Sequence, residues 1–320
     1  MRELRIALRD WDWLTPLLLH EVPQTPLERL GVRLAVDRVD ALPDPWGPEP
    51  QHGAYETSLS RYHRAVVSGD DRIVAVPHML MQSFRHRCII VARDSDAKTA
   101  ADLRGACIGL TGWVDSGNTW TRDVLAGEGV GIEDARWVAG RLTEAHPETD
   151  RLDGFGRPGR IEAAPAGSWM TAMLDSGQLD AVLTPFMPPG FYAPDAPWRS
   201  LYADIRGAET AYADRWGFVP AHHVLSFPRA GFDPEVARAV GEVLLASRAE
   251  WLRKRRKYAD TSMWLGQDLH EEAVRLPAGW DAPGLAAQRA MVERFTAIQH
   301  EQGITTRAAT VREMFPFEEE

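Results

Sequence analysis

Lysine is almost missing from these 320 residues: Lys98, Lys254 and Lys257 are its only occurrences among 36 basic side chains, the remainder being Arg. We read that skew as genome composition and not as function. Acidic residues outnumber basic ones 46 to 36, and the formal net charge of −10 argues against a general binder of nucleic acid or of an anionic membrane surface. The one basic run, residues 253–257, falls inside an expected helix and reads as a solvated face. No segment approaches the ~18–20 apolar residues that a membrane span needs. Cysteine is scarce too. Cys88 and Cys107 both lie in apolar strand-like runs, which points to reduced core thiols and not to a disulfide or a metal site. There is no zinc-type Cys/His spacing, no phosphate-binding Gly loop and no nucleophile elbow, so neither a metal nor a cofactor is expected. The N-terminal segment lacks an apolar export stretch, a small-residue cleavage site and a lipid-attachment Cys, which sets the expectation of a cytoplasmic protein.

What is present is an alternation of strand-like and helical runs across a soluble composition, 44% hydrophobic and 26% charged. This predicts α/β layers around largely parallel sheets. Strands are expected at 4–8, 32–36, 73–76 (stopped by Pro77), 88–92, 106–110, 179–183 and 224–227. Helices are expected at 58–68, 119–125 and 169–175, and through most of the chain beyond Pro234. If the strands at 88–92 and 224–227 are chain crossings, residues 1–91 and 224–320 form lobe I and residues 92–223 form lobe II. A two-lobed protein of this kind carries its ligand in a central cleft.

The most informative stretch is Gln82-Ser83-Phe84-Arg85-His86, set directly before Cys88-Ile89-Ile90-Val91-Ala92. An Arg and a His at the entry to a buried strand each need a partner, because a desolvated charge must be compensated. An anionic ligand would supply that partner; so would a local carboxylate.

Several motifs together resemble one family. Glu56-Thr57-Ser58-Leu59-Ser60-Arg61-Tyr62 is similar to the E-x-S-L-S-x-Y element of the 4,5-dihydroxyphthalate decarboxylase family, and Ser83-Phe84-Arg85-His86 to its S/A-F-R-H element. Asp102-Leu103-Arg104-Gly105-Ala106-Cys107-Ile108-Gly109 resembles a strand entry, and Gly217-Phe218-Val219-Pro220-Ala221-His222-His223-Val224 resembles the element that carries the family histidine, here His223. Asp10-Trp11-Asp12 stands where the family has Asp-Tyr-Asp. Two segments depart: Leu110 to Thr119, and Pro77-His78-Met79-Leu80-Met81-Gln82. The resemblance implies the type 2 periplasmic-binding-protein-like fold, with two interlobe crossings, and a cofactor-independent carboxy-lyase acting on a hydroxylated aromatic acid. The same fold also serves solute receptors of ABC-type transporters and sibling enzymes with other carboxylated substrates, and both remain as alternatives.

Such a decarboxylation needs a proton on the ring carbon that loses its carboxylate. His86 and His223 are the candidates for proton transfer, with Glu56 as a carboxylate that orients a histidine or takes a phenolic proton. Arg85 would clamp a carboxylate through paired N–H donors. Ser58, Tyr55, Asp10 and Asp12 are candidate substrate contacts near the first motifs. Ser116, Asn118 and Thr119 would cap a helix whose free N–H groups face an anion, and Trp113 and Trp120 would stack on an aromatic ring. Each has a structural alternative: capping, turn formation or core packing. His222 should point to the face opposite His223, and His78 follows a strand end. The expected partner is a small aromatic carboxylate, with no nucleic acid and no membrane; a homo-oligomer is compatible with the sequence.

Overall fold

Strand β1 (Arg2–Arg9) buries Leu4, Ile6 and Leu8 on alternate positions, as its sequence pattern requires. The computed structural model, which describes residues 1–48 and 50–318, builds mixed α/β structure around two sheets. By internal packing the chain divides into two units. The first holds Met1–Gln82, Ala221–Val292 and the chain from Ala309; the second holds Ser83–Pro220 and Glu293–Ala308. The boundaries read from the sequence, 91/92 and 223/224, thus move to 82/83 and 220/221. The cause is pairing: Ala221 lies opposite Gln82 in the first sheet, which keeps both with the first unit. Four passages replace the expected two, because the helix Leu285–Glu301 begins in the first unit and ends in the second.

The first sheet has the order β2-β1-β3-β11-β4. Strands β2 (Val32–Val39) and β3 (Ala54–Ser58) run parallel to β1, whereas β11 (Ala221–Pro228) is antiparallel to β3 and to β4 (Ile73–Gln82). Pro77 does not stop β4. The strand lies at the sheet edge, where a residue without an N–H is tolerated, and its register against β11 shifts around that point. The helix Pro234–Tyr258 covers one face. Asp233 caps it by accepting from the N–H groups of Glu235 and Val236, and Val236, Val240, Val243 and Leu244 pack with Ile6, Leu8, Leu34 and Leu225 of the sheet.

The second sheet has the order β10-β5-β9-β6-β7-β8. Its strands are β5 (Ile89–Ala92), β6 (Cys107–Leu110), β7 (Arg136–Ala139), β8 (Ile161–Ala163), β9 (Ala181–Leu183) and β10 (Trp198–Ser200). The parallel strands β6 and β7 are joined through the helix Ser116–Gly127. Ile90, Met170, Met173, Leu174, Leu179 and Val182 form a core in this unit.

Both cysteines are free. In the basic run, Arg253, Lys254 and Arg255 pair with Glu250, Glu21 and Glu272, a surface network and not a vacant cationic patch. Among the described residues no helix is long and apolar enough to cross a membrane, and no group of three or more His, Cys, Asp or Glu side chains comes together to hold a metal ion.

Candidate active site

Glu56 and His223 are 167 positions apart in the chain and adjacent in the first unit. On the antiparallel pair β3–β11, Leu225 stands opposite Glu56 and Ser58 stands opposite His223. Side chains two residues apart share a face, so Glu56, Ser58, His223 and Leu225 emerge on the same side. Leu225 belongs to the apolar layer beneath the long helix. The polar members sit where that layer ends, at the carboxyl ends of β1 and β3, the edge at which α/β sheets collect ligand contacts.

The geometry there is specific. His223 Nδ1 lies 2.5 Å from Glu56 Oε1. Glu56 Oε2 accepts from the Arg9 N–H at 2.8 Å and from the Trp11 indole Nε1–H at 2.9 Å. The carboxylate, 1% exposed, therefore has both oxygens engaged, as a buried charge requires. An acceptor on Nδ1 places a proton on that nitrogen and leaves Nε2 as the atom that gives or takes a proton. The imidazole is 15% exposed, so water or a ligand can reach it while Glu56 stays enclosed.

Other residues expected at this site are placed differently. Tyr55 points to the opposite face of β3, is buried, and accepts from the His52 N–H at 3.0 Å. Asp10 is exposed and pairs with Arg38 at 3.1 Å. Asp12 accepts from the Trp13 N–H at 3.0 Å and holds its own turn. Of the Asp10-Trp11-Asp12 motif, the indole reaches the site and the carboxylates do not. His222 is buried on the far face, as strand alternation predicts. His78 packs beside Gly241 of the long helix, and burial pushes its pKa down to about 4.

The remaining sequence candidates lie in the second unit. The Arg85 guanidinium is buried beside the first turn of the helix Ser116–Gly127: a Cβ at Gly117 would stand 3.3 Å from its Cζ, so glycine makes the close approach possible. Arg85 Nη1 also meets the Cys88 thiol at 3.6 Å. Burial pulls the Arg85 pKa below its ordinary value, and Cys88 opposes that shift. The rings of Phe84, Tyr202 and Tyr212 surround His86 at centroid distances of 5.5–6.3 Å. Burial alone pushes its pKa from 6.5 down to about 4, so His86 is a neutral core histidine at pH 7. Ser116 opens the helix. Asn118 Nδ2 donates to the Gly112 carbonyl at 2.8 Å, Thr119 is fully buried, and Trp120 packs between Phe218 and Phe295. Trp113 packs edge-on to Trp137 at 5.9 Å.

Two residues escaped the sequence reading. Trp11 was passed over because its flanking carboxylates carried the obvious chemistry. Glu209, on the helix Ile205–Trp216, gave no local signal; burial raises its pKa to about 7 against the opposing charges of Arg87 and Arg206.

A pH dependence follows from the two neutral histidines. His86 and His78 hold folded-state values below the ordinary 6.5, so between about pH 6.5 and 4 the unfolded chain binds protons that the folded chain does not. Their stabilisation is present above that window and is lost as pH falls through it. For His86 the shift is worth roughly 3 kcal/mol. Urea midpoints of the wild type and His86→Leu, compared at pH 7 and about pH 4.5, should show a smaller acid loss in the variant. Equal losses would assign the acid sensitivity to other groups.

No family model matches the chain. A protein from Comamonas testosteroni named 4,5-dihydroxyphthalate decarboxylase is 27% identical over 339 aligned residues, covering 98% of this chain and 96% of that one. One of the same name from Pseudomonas putida is 34% identical over 158 residues, 48% of this chain and 60% of its own. The chain is a homologue of proteins bearing that name. Among solved structures, the periplasmic aliphatic sulphonate binding protein SsuA from Escherichia coli matches with a TM-score of 0.56 at 17% identity, covering 98% of this chain and 97% of that one. The alkanesulfonate-binding protein SsuA from Xanthomonas axonopodis pv. citri matches at 0.52 and 15%, covering 98% of each. At these identities the likeness is one of fold, and the fold is that of periplasmic binding proteins.

Proposed function

We propose that the protein is a carboxy-lyase that releases carbon dioxide from a hydroxylated aromatic acid such as 4,5-dihydroxyphthalate, with His223 as the proton carrier and Glu56 as the carboxylate that positions it. The observation that carries this reading is the Glu56–His223 pair, with Nδ1 held and Nε2 left to act, in a chain whose relatives are named decarboxylases. The imidazolium delivers its Nε2 proton to the ring carbon that bears the carboxylate. The bond from that carbon to the carboxylate then breaks, its electron pair restores the aromatic ring, and carbon dioxide leaves. A ring hydroxyl assists by pushing electron density toward the protonated carbon. The Glu56 carboxylate stabilises the imidazolium beforehand, and solvent returns the proton afterwards. Ser58, opposite His223 in the strand register, stands on the same face beside it.

In this scheme Trp11 is a positioning residue. Its indole fixes the Glu56 carboxylate, and the Arg9 N–H holds the same oxygen. Trp11→Phe keeps the ring and removes one donor, so kcat should fall by about tenfold with KM little changed. An unchanged kcat would remove Trp11 from the assembly.

The direct test incubates the purified protein with 4,5-dihydroxyphthalate and related dihydroxylated aromatic acids and measures carbon dioxide. Release with turnover is expected. Saturable binding across the panel without release would move the protein to the solute-binding class.

A further inference from the structure

The second unit holds a half-open cavity of about 530 Å³, lined by the later half of the helix Ser116–Gly127, by β7 and by residues 154–157. That is the size of a small-molecule pocket. Trp113, Trp137, Phe155 and Ile161 supply its apolar wall. The charged groups along it are matched with one exception. Glu133 pairs with Arg157 at 2.7 Å, and Asp123 and Glu301 both pair with Arg294. The exception is Arg122.

Arg122 is 2% exposed, and its guanidinium lies over the Trp113 ring at 4.3 Å. Nε donates to Gln302 Oε1 at 2.9 Å and Nη2 to the Trp113 carbonyl at 2.7 Å, both neutral acceptors. Nη1 is buried without a hydrogen-bond partner, and among the described residues no carboxylate comes within ion-pair distance; Asp115 acts on it only from farther away. Burial lowers the Arg122 pKa to about 9, which still leaves it charged at pH 7. A buried cation without a counter-charge is costly, and unpaired groups of this kind mark places where a ligand completes the structure.

We propose that this cavity is a binding site for an aromatic monocarboxylate, its carboxylate facing Arg122 and its ring against Phe155, which is half-buried where Trp113 and Trp137 are fully buried. One unmatched cation calls for one negative charge; a dianion would confront Glu133 and Glu301 on the same wall. The accessible phenyl ring of Phe155 favours a flat ring over an aliphatic chain. The site shares no residue with the Glu56–His223 pair, and it stands whether or not carbon dioxide release is found.

Benzoate is the probe, with phthalate, inorganic phosphate and cyclohexanecarboxylate as comparisons, measured by titration calorimetry on the full chain. Benzoate should bind more tightly than all three. Arg122→Met and Ala126→Trp should each weaken it by more than tenfold; Ala126 lines the cavity from an exposed helix position, so that variant fills the space without disturbing the core and carries the test if Arg122→Met fails to fold. His223→Gln should leave this binding unchanged. Absence of saturable benzoate binding overturns the proposal, as does binding that survives Ala126→Trp.

Discussion

His223→Gln is expected to lower kcat for carbon dioxide release by about 10²–10⁴-fold while the protein stays folded. The size follows from the role: a positioned proton donor contributes that much, and glutamine keeps a polar group of similar reach that cannot carry the proton. The intact fold follows from the surroundings. The imidazole is partly open to solvent and its hydrogen bond is to Glu56, which retains the Arg9 and Trp11 donors when the histidine is gone. Glu56→Gln should lower kcat less than His223→Gln does, because the histidine remains but loses its counter-charge and its fixed tautomer. His86→Leu gives the contrast. Its ring is enclosed by aromatic neighbours and uncharged at pH 7, so it should change stability at low pH and leave kcat near wild type. Full activity in His223→Gln, or its loss in His86→Leu with the fold preserved, would reverse the assignment of the proton donor.

Trp120→Ala is expected to destabilise the protein by about 3–5 kcal/mol, read as a lower denaturant midpoint. The sequence offered Trp120 as a ring to stack on a substrate. In the structure it is fully buried, with Phe218 at 5.8 Å and Phe295 at 5.2 Å between ring centroids. Truncation leaves a cavity between a helix near the start of the second unit and the late helix Leu285–Glu301 that returns to it. Activity per folded molecule should stay near wild type, because the indole has no open face. A stable variant with weakened substrate affinity would restore the stacking role.

How much was legible can be judged residue by residue. The apolar alternation of β1 and the run that becomes β5 were readable because a strand's periodicity is a local property. The strands β7, β8 and β10 were missed, since three or four residues carry too little pattern to stand out from loops. Pro77 misled because a missing N–H looks like a stop, and only the sheet order reveals that β4 is an edge strand. The family motifs picked out Glu56 and His223 together, but they also picked out Tyr55 and Asp10, and the departing segment offered Thr119 as a cap; the fold turns these away or buries them.

By itself the sequence determined the α/β character of this protein's layers, the motifs resembling a decarboxylase family, and the identities of a carboxylate and a histidine suited to move a proton. Only the tertiary structure decided which histidine meets a carboxylate and stays reachable, that Trp11 holds the carboxylate, and that Arg122 stands unmatched beside a cavity. The physical reason is that periodicity and composition belong to the chain locally. Desolvation, counter-charge and hydrogen-bond partnership are set by neighbours that arrive from far along it, such as Glu56 beside His223 and Gln302 beside Arg122.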